Sequence, residues 1–370
     1  MPVRFLDLTP DDEMRRELLD ATTRVVSSGW YLLGPELEAF EREFAAYSGA
    51  RHCVAVGSGL DALRLALQAR GIGAGDEVIV PGQTFIATWL AVSAAGATPV
   101  PVDVDAERHL IDPDRVREAI GPRTAAIVAV DLYGHPADHV ALREIADAHG
   151  LWLLDDAAQA HGARLHGRPV GSFADAAAWS FYPGKNLGAL GDGGAVTTDD
   201  HALAERIRRL RNYGSSRKYV HEEQGVNSRL DELQAAVLRV KLRRLASSNE
   251  RRREIAARYG SLLAELPVDG PVVSRSAAPS WHLYVVRCAR RDALRAELAD
   301  HGVETLVHYP VPPHRQPAYR DTAAAGARLP NAERAAAEVL SLPIGPHLTD
   351  DEVDAVAEAV SAASTGLAHA

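Results

Sequence analysis

The chain predicts an α/β protein: a mostly parallel sheet between helices, followed by a smaller C-terminal α+β domain. Three observations carry that prediction. Short apolar runs alternate with helical patterns through the first two-thirds of the sequence, as in a parallel sheet covered by crossover helices. Several runs, such as Ile127-Val-Ala-Val130, are apolar throughout, which suits strands buried on both faces. After about Asn227 this alternation stops and longer helical spacing takes over.

Taken in order, His52–Val56 is a strand and Asp61–Ala69 the helix after it. Glu77-Val-Ile-Val80 precedes a helix running through Trp89, and Thr98–Val102 is a third strand. Thr124–Val130, a helix over Pro136–His149 and Leu151–Leu154 form another unit, followed by short strands at Ala176–Ser180 and Gly194–Thr198. From Leu230 to Leu263 apolar positions recur at helical spacing with few breakers, so one long or kinked helix is expected. Asp269–Ser280 reads as a connection, Trp281–Arg287 as a strand and Asp292–His301 as a helix. A Pro-rich loop spans Tyr309–Pro317, and Thr349-Asp-Asp-Glu352 is a capping sequence for a last helix. The domain boundary is placed near residue 245, dividing 1–245 from 246–370.

Composition narrows the function. With 370 residues, 46% hydrophobic and 24% charged, the chain reads as an ordinary globular protein. Fifty acidic residues against forty basic give a net charge of -10, which argues against a nucleic-acid surface or a polybasic membrane patch. Cys53 and Cys288 are too few and too far apart for a disulfide framework or a zinc site. The N-terminus has no signal-peptide pattern, and no run approaches the roughly 18 apolar residues of a membrane span. A cytoplasmic location is expected.

Four strand ends carry candidate chemistry. Gly57-Ser-Gly-Leu-Asp61 ends a strand and opens a helix, where free N–H groups favour an anion such as phosphate; a tight turn without ligand is the alternative. Phe85, in Pro81-Gly-Gln-Thr-Phe85, is placed to stack on a flat ring or to fill the core. Asp155 and Asp156 end an apolar strand, and a buried carboxylate is costly without a cation. A cofactor's pyridinium nitrogen would be such a partner for either one, an N-cap role being the plainer reading. Gln159 would then lie one helical turn from Asp156, with an amide donor for a phenolate oxygen. His161 reads equally as a packed core histidine. Lys185 follows the strand in Ser180-Phe-Tyr-Pro-Gly-Lys-Asn-Leu-Gly188; partly shielded there, it would lose its proton more readily and could attack a carbonyl, a solvated turn lysine being the alternative. Anion cradle, stacking aromatic, buried carboxylate and lysine together are what pyridoxal 5'-phosphate requires, gathered where open α/β sheets bind ligands.

With these motifs the sequence resembles the DegT/DnrJ/EryC1/StrS family of sugar aminotransferases, which have the type I fold of the pyridoxal-phosphate enzymes. Further segments carry the resemblance: Ser27-Ser-Gly-Trp-Tyr-Leu-Leu-Gly-Pro35, Asp155-Asp-Ala-Ala-Gln-Ala-His-Gly162, Gly191-Asp-Gly-Gly194, Arg211-Asn-Tyr-Gly214, Asn227-Ser-Arg-Leu-Asp-Glu-Leu-Gln-Ala235 and His308-Tyr-Pro310. It implies Lys185 as the lysine in aldimine linkage to the cofactor and Asp156 as the ring-nitrogen partner. It implies Gln159 near the ring hydroxyl, Phe85 on the ring, and Ser58, Ser180 and the backbone of Gly59, Leu60 and Asp61 on the phosphate. Asn227 is expected to reach the phosphate of a neighbouring subunit, making a homodimer with shared sites. Tyr31, Tyr213, Arg229, His308, Tyr309 and His314, within these segments and the loop His308-Tyr-Pro-Val-Pro-Pro-His314, become substrate-binding candidates. That loop has two histidines but no third ligand, so no metal is expected. Gly57 departs from the family, where Asn or another polar residue often stands.

Leu132-Tyr-Gly-His-Pro-Ala-Asp138 and Ser341-Leu-Pro-Ile-Gly-Pro-His347 resemble the branch that aminates C3 of dTDP-3-keto-6-deoxyhexoses with L-glutamate in antibiotic deoxysugar pathways. The alternatives are a C4-keto-sugar or keto-cyclitol acceptor, a dehydratase (disfavoured because that branch has histidine in place of the lysine) and a non-catalytic regulatory member.

Overall fold

Seven apolar segments pair into one sheet in the computed structural model, which describes residues 2–368. They are β1 (His52–Val56), β2 (Glu77–Pro81), β3 (Thr98–Val102), β4 (Thr124–Val130), β5 (Trp152–Asp156), β6 (Ala176–Ser180) and β7 (Gly194–Thr198). Their spatial order is β1-β7-β6-β5-β4-β2-β3. Only β7 is reversed, pairing antiparallel with both β1 and β6. The carboxyl ends of β1, β5 and β6 and the amino end of β7 therefore meet at one edge of the sheet.

Two helices precede the sheet that the sequence reading left unassigned, α1 (Asp12–Ser28) and α2 (Pro35–Ser48). Their signals were present: Asp11 caps α1 by accepting from the Met14 N–H at 2.7 Å, and Gly29 and Gly49 end the two helices at φ 66° and 74°. No side chain caps α2 from within its own segment. Buried Glu232, distant in sequence, instead accepts the N–H groups of Gly34, Glu36 and Leu37 at 2.8, 2.9 and 3.1 Å, placing an anion at the helix's positive end.

Helices α3 (Gly59–Arg70), α4 (Ala87–Ala94), α5 (Pro113–Ala119), α6 (His139–His149) and α7 (His201–Leu210) cover the sheet. One face buries Val54, Leu65, Val80, Trp89, Leu154 and Ile207; another layer packs Phe40, Phe44, Trp179 and Phe181 against Ala235 and Leu238. Full burial of each large apolar side chain contributes about 1.5–3 kcal/mol. The expected helix over 230–263 is two helices, α8 (Glu232–Leu242) and α9 (Leu245–Leu262), separated at Arg243-Arg244.

The C-terminal part has its own core. Helices α10 (Arg291–Asp300), α11 (Pro330–Glu338) and α12 (Asp350–Ala368) surround an antiparallel pair, β8 (Tyr284–Arg287) with β9 (Val339–Leu342). Ile255, Tyr259, Val286, Leu298, Leu340 and Val356 pack together there. Leu245 at the start of α9 packs with the sheet's core, whereas Ile255 packs with the second one. Val3 bridges to Val303 and joins that second core, so the chain's first residues lie with its last third. Among the described residues no helix is long and apolar enough to cross a membrane.

Candidate active site

A cavity of about 1440 Å³ opens at the sheet edge where β1, β5, β6 and β7 meet. Ser58, Gly59, Leu60, Phe85, Asp156, Gln159, Ser180, Lys185, His308 and Tyr309 all line it. Thus four separated sequence motifs and the distal loop are brought to one space.

Strand β5 extends through both carboxylates, two residues beyond the expected end, so alternation sends Asp155 and Asp156 to opposite faces. Asp156 faces the cavity. Its Oδ2 accepts from Thr88 Oγ1 at 2.8 Å, and its Oδ1 from the Ala158 N–H at 3.3 Å. Burial raises its pKa, while those hydrogen bonds and the charge of Lys185 act against the rise. Thr84 in turn bonds Thr88 through their hydroxyls at 2.8 Å. Asp155 is fully buried on the far side, 3.7 Å from His139 Nε2.

Lys185 sits in the turn after β6, its backbone N–H donating to Tyr182 O at 2.8 Å. Removal from water pushes its pKa down to about 8, with Asp156 pulling the other way. Near neutrality a useful fraction is therefore free amine, as a carbonyl-capturing lysine needs.

At the cradle, Ser58 caps α3 by accepting from the Asp61 N–H at 3.1 Å. That hydrogen bond uses the Asp61 N–H, and Asp61 does not line the cavity; its carboxylate is held by Ser228 at 2.7 Å and Arg64 at 2.9 Å. The Gly59 and Leu60 N–H groups are bonded to nothing among the described residues. Glycine is required at 59, since a Cβ there would meet Ser180 Cβ at 2.7 Å. Gly57 donates its N–H to Ser228 Oγ at 3.0 Å.

Gln159 accepts from the Tyr133 N–H at 2.6 Å and donates through Nε2 to the Tyr309 hydroxyl at 3.1 Å. The Tyr309 ring lies 5.3 Å from that of Phe85, which is 52% exposed and not a core residue. Tyr133 also donates its hydroxyl to the backbone carbonyl of His308, whose Nδ1 pairs with Ser341 Oγ at 2.8 Å. Burial, then the charge of Lys185, pushes His308 down to about 4.

Other candidates lie elsewhere. His314 is buried and pairs with Glu333 at 3.0 Å, away from the cavity. His161 packs against Phe44, Trp179 and Phe181, its pKa pushed down to about 3, chiefly by burial. Tyr31, Tyr213, Arg229 and Asn227 do not line this chain's cavity. Asn227 is exposed and bridges Asn212, while Arg229 donates to Asn212 Oδ1 at 3.1 Å and lies over the Tyr213 ring at 5.6 Å. Thr84, Thr88 and His282 were given no role from the sequence, although the two threonines lie one helical turn apart just after a strand, and Tyr133 stood in a quoted segment without a role. Arg251-Arg-Arg253, a basic run in a charge-mixed helix, reads as a solvated face, yet Arg252 is buried and lines the cavity.

Residues 12–361 match the model of the DegT/DnrJ/EryC1/StrS aminotransferase family. The chain is 60% identical over 358 residues to the erythromycin biosynthesis sensory transduction protein EryC1 of Saccharopolyspora erythraea, covering 96% of this chain and 98% of that one. It is 58% identical over 360 residues to a dTDP-3-amino-3,4,6-trideoxy-alpha-D-glucose transaminase of Streptomyces venezuelae, covering 97% and 95%. A solved structure of S. venezuelae DesV in complex with a ketimine intermediate superposes with a TM-score of 0.95 at 57% identity, covering 98% of each chain. The fold is that of these aminotransferases, and the chain belongs to the DegT/DnrJ/EryC1/StrS aminotransferase family.

Proposed function

We propose that this chain is a pyridoxal 5'-phosphate-dependent enzyme that moves the amino group of L-glutamate to the C3 keto carbon of a dTDP-3-keto-6-deoxyhexose. The observation that carries this reading is the presence of Lys185 and Asp156 in one cavity, beside unbonded N–H groups at a helix start. The donor set fits the cofactor: Gly59 and Leu60 N–H with the Ser58 and Ser180 hydroxyls for phosphate, Phe85 for a ring face and Asp156 for a ring nitrogen. When bound, pyridoxal phosphate supplies a carbonyl for the amine and a ring that takes up an electron pair.

The chain's residues do the rest. Asp156, whose carboxylate accepts from Thr88 and the Ala158 N–H, would hold the proton on the ring nitrogen. With glutamate bound, the free Lys185 amine would take a proton from the substrate carbon and return it across the nitrogen, two bonds away. Phe85, Tyr309 and His308 complete the cavity wall. The names of the transaminase relatives support a 3-keto dTDP-sugar as acceptor.

A homodimer with shared sites belongs to the same reading. Trp30, Tyr31, Tyr182 and Tyr219 are each more than half exposed, a residue type that interfaces favour. Asn227, Tyr213 and Arg229, off this chain's cavity, would serve the partner's. The test is to load the enzyme with glutamate, remove the excess and add keto sugar nucleotides one at a time. The visible band of lysine-bound cofactor should return with the 3-keto dTDP-sugar; return only with a 4-keto sugar or a keto-cyclitol would change the acceptor. A spectrum that never responds to glutamate would favour a regulatory role, the one that the names of two relatives describe.

A further inference from the structure

Beside the lysine lies a hydrogen-bond network that the proposed chemistry leaves unused. Asn186, next in chain to Lys185, donates its Nδ2 to the backbone carbonyl of Ser280 and to Asn249 Oδ1, both at 2.9 Å. Asn249, buried on α9, donates its own Nδ2 to the backbone carbonyl of His161 at 2.7 Å. A backbone carbonyl can only accept, so Ser280 and His161 fix which end of each amide is nitrogen. Asn186 Oδ1 is the acceptor that remains, and it meets His282 Nδ1 at 3.1 Å. That ring nitrogen must therefore carry the hydrogen. The neutral ring then has its lone pair on Nε2, which no group among the described residues engages.

His282 is partly exposed, and both it and Lys185 line the cavity. The ring stays neutral: burial pushes its pKa well down, and the charges of Lys185 and Arg252, with those of His308 and His161 if protonated, push the same way. Arg252 is itself anchored, donating to the carbonyls of Trp281, His282 and Ile344 at 3.1, 3.4 and 2.9 Å.

We propose that His282 is a positioning residue for Lys185: its Nε2 accepts a hydrogen bond from the free ε-amino group, aiming the amine's lone pair at the carbon it deprotonates. His282 takes up no proton; it restricts rotation of an amine that would otherwise turn freely. The role rests on the aminotransferase reading above. The Asn186–Asn249 pair couples the lysine turn to α9, so ring orientation and turn geometry are set together.

Two substitutions separate the two ring nitrogens. In His282→Asn an amide N–H replaces the donor at Nδ1 while the acceptor reaching the cavity is lost; in His282→Gln an amide oxygen can replace Nε2. Both are measured as holoenzymes in stopped flow with L-glutamate and no acceptor sugar. His282→Asn should keep cofactor and apparent glutamate affinity but slow the half-reaction by roughly tenfold, the worth of one hydrogen bond, and His282→Gln should recover part of that rate. A wild-type rate in His282→Asn, or slowing confined to the keto-sugar half-reaction, would overturn the role. Should His282→Asn lose its fold or cofactor, ¹⁵N resonances of histidine-labelled wild type decide: a pyridine-like Nε2 supports the role and a pyrrole-like Nε2 overturns it. A wild-type chain inert to glutamate would remove the aminotransferase reading and this role together, whereas the tautomer is read without glutamate.

Discussion

Asp155 and Asp156 are adjacent on one strand, and their surroundings differ in nearly every respect. Asp156 opens on the cavity, with two hydrogen-bond donors and the charge of Lys185 nearby. Asp155 is sealed between β5 and α6, and neither of its oxygens is bonded among the described residues. Burial, then the charge of Asp131, pushes its pKa well up, with His139 opposing. His139 pairs with Asp131 at 2.8 Å; burial alone would discharge the imidazole, but the two carboxylates outweigh it and hold its pKa at about 9. The sealed group is thus a histidine held by one bonded carboxylate, Asp131, and facing a second, Asp155, whose proton affinity burial raises. Ligand atoms of the three side chains lie within 4.8 Å of one another, a spacing that a metal ion would also accept. Yet Asp131 Oδ1 already accepts from both Ala137 N–H and His139, and His139 Nδ1 lacks the partner that orients a metal-ligating ring. The contrast teaches that cavity access and hydrogen-bond donors, not the carboxylate itself, set the two aspartates apart.

The comparison can be broken most forcefully on the cavity side. Lys185→Ala should abolish turnover and the visible band of lysine-bound cofactor; an unchanged band with cofactor bound would remove Lys185 from its role. A graded effect follows from its lowered pKa. With the free amine half-populated at about pH 8, capture of pyridoxal phosphate by cofactor-free protein should fall about tenfold per pH unit below that point and level off above it. A midpoint near the ordinary lysine value would show the amine to be solvated.

On the sealed side the readout is stability. His139 has a folded-state pKa above its unfolded value of 6.5, so its contribution is fully present below pH 6.5 and is lost as pH rises through about 9. His139→Gln should cost about 3 kcal/mol at pH 6, by thermal or denaturant unfolding, and the gap from wild type should narrow by pH 9. A gap independent of pH would mean that the imidazole is buried neutral.

Much of this arrangement was legible in the chain. Apolar runs bounded by Gly and Pro placed the seven strands, and the motifs at four strand ends do meet at one edge. Period-two alternation says that Asp155 and Asp156 face opposite ways, but not which face holds the cavity; that depends on the packing of α6, a separate segment of the chain. Phe85 was balanced between core and cavity for the same reason. Helices α1 and α2 carried caps and terminal glycines but stood outside the strand–helix rhythm. His282 had no readable signal, because its tautomer is set by two amides and two carbonyls drawn from separate segments.

The most direct test sets Asp156→Asn and Asp155→Asn side by side in the glutamate half-reaction, followed at the visible cofactor band. Both variants should bind cofactor. Asp156→Asn loses a charge-assisted contact and should slow the half-reaction roughly 10–100-fold, whereas Asp155→Asn, at a position that does not line the cavity, should stay within about twofold of wild type. Equal rates in the two variants, or slowing in Asp155→Asn alone, would contradict the assignment of the chemistry to the Asp156 face.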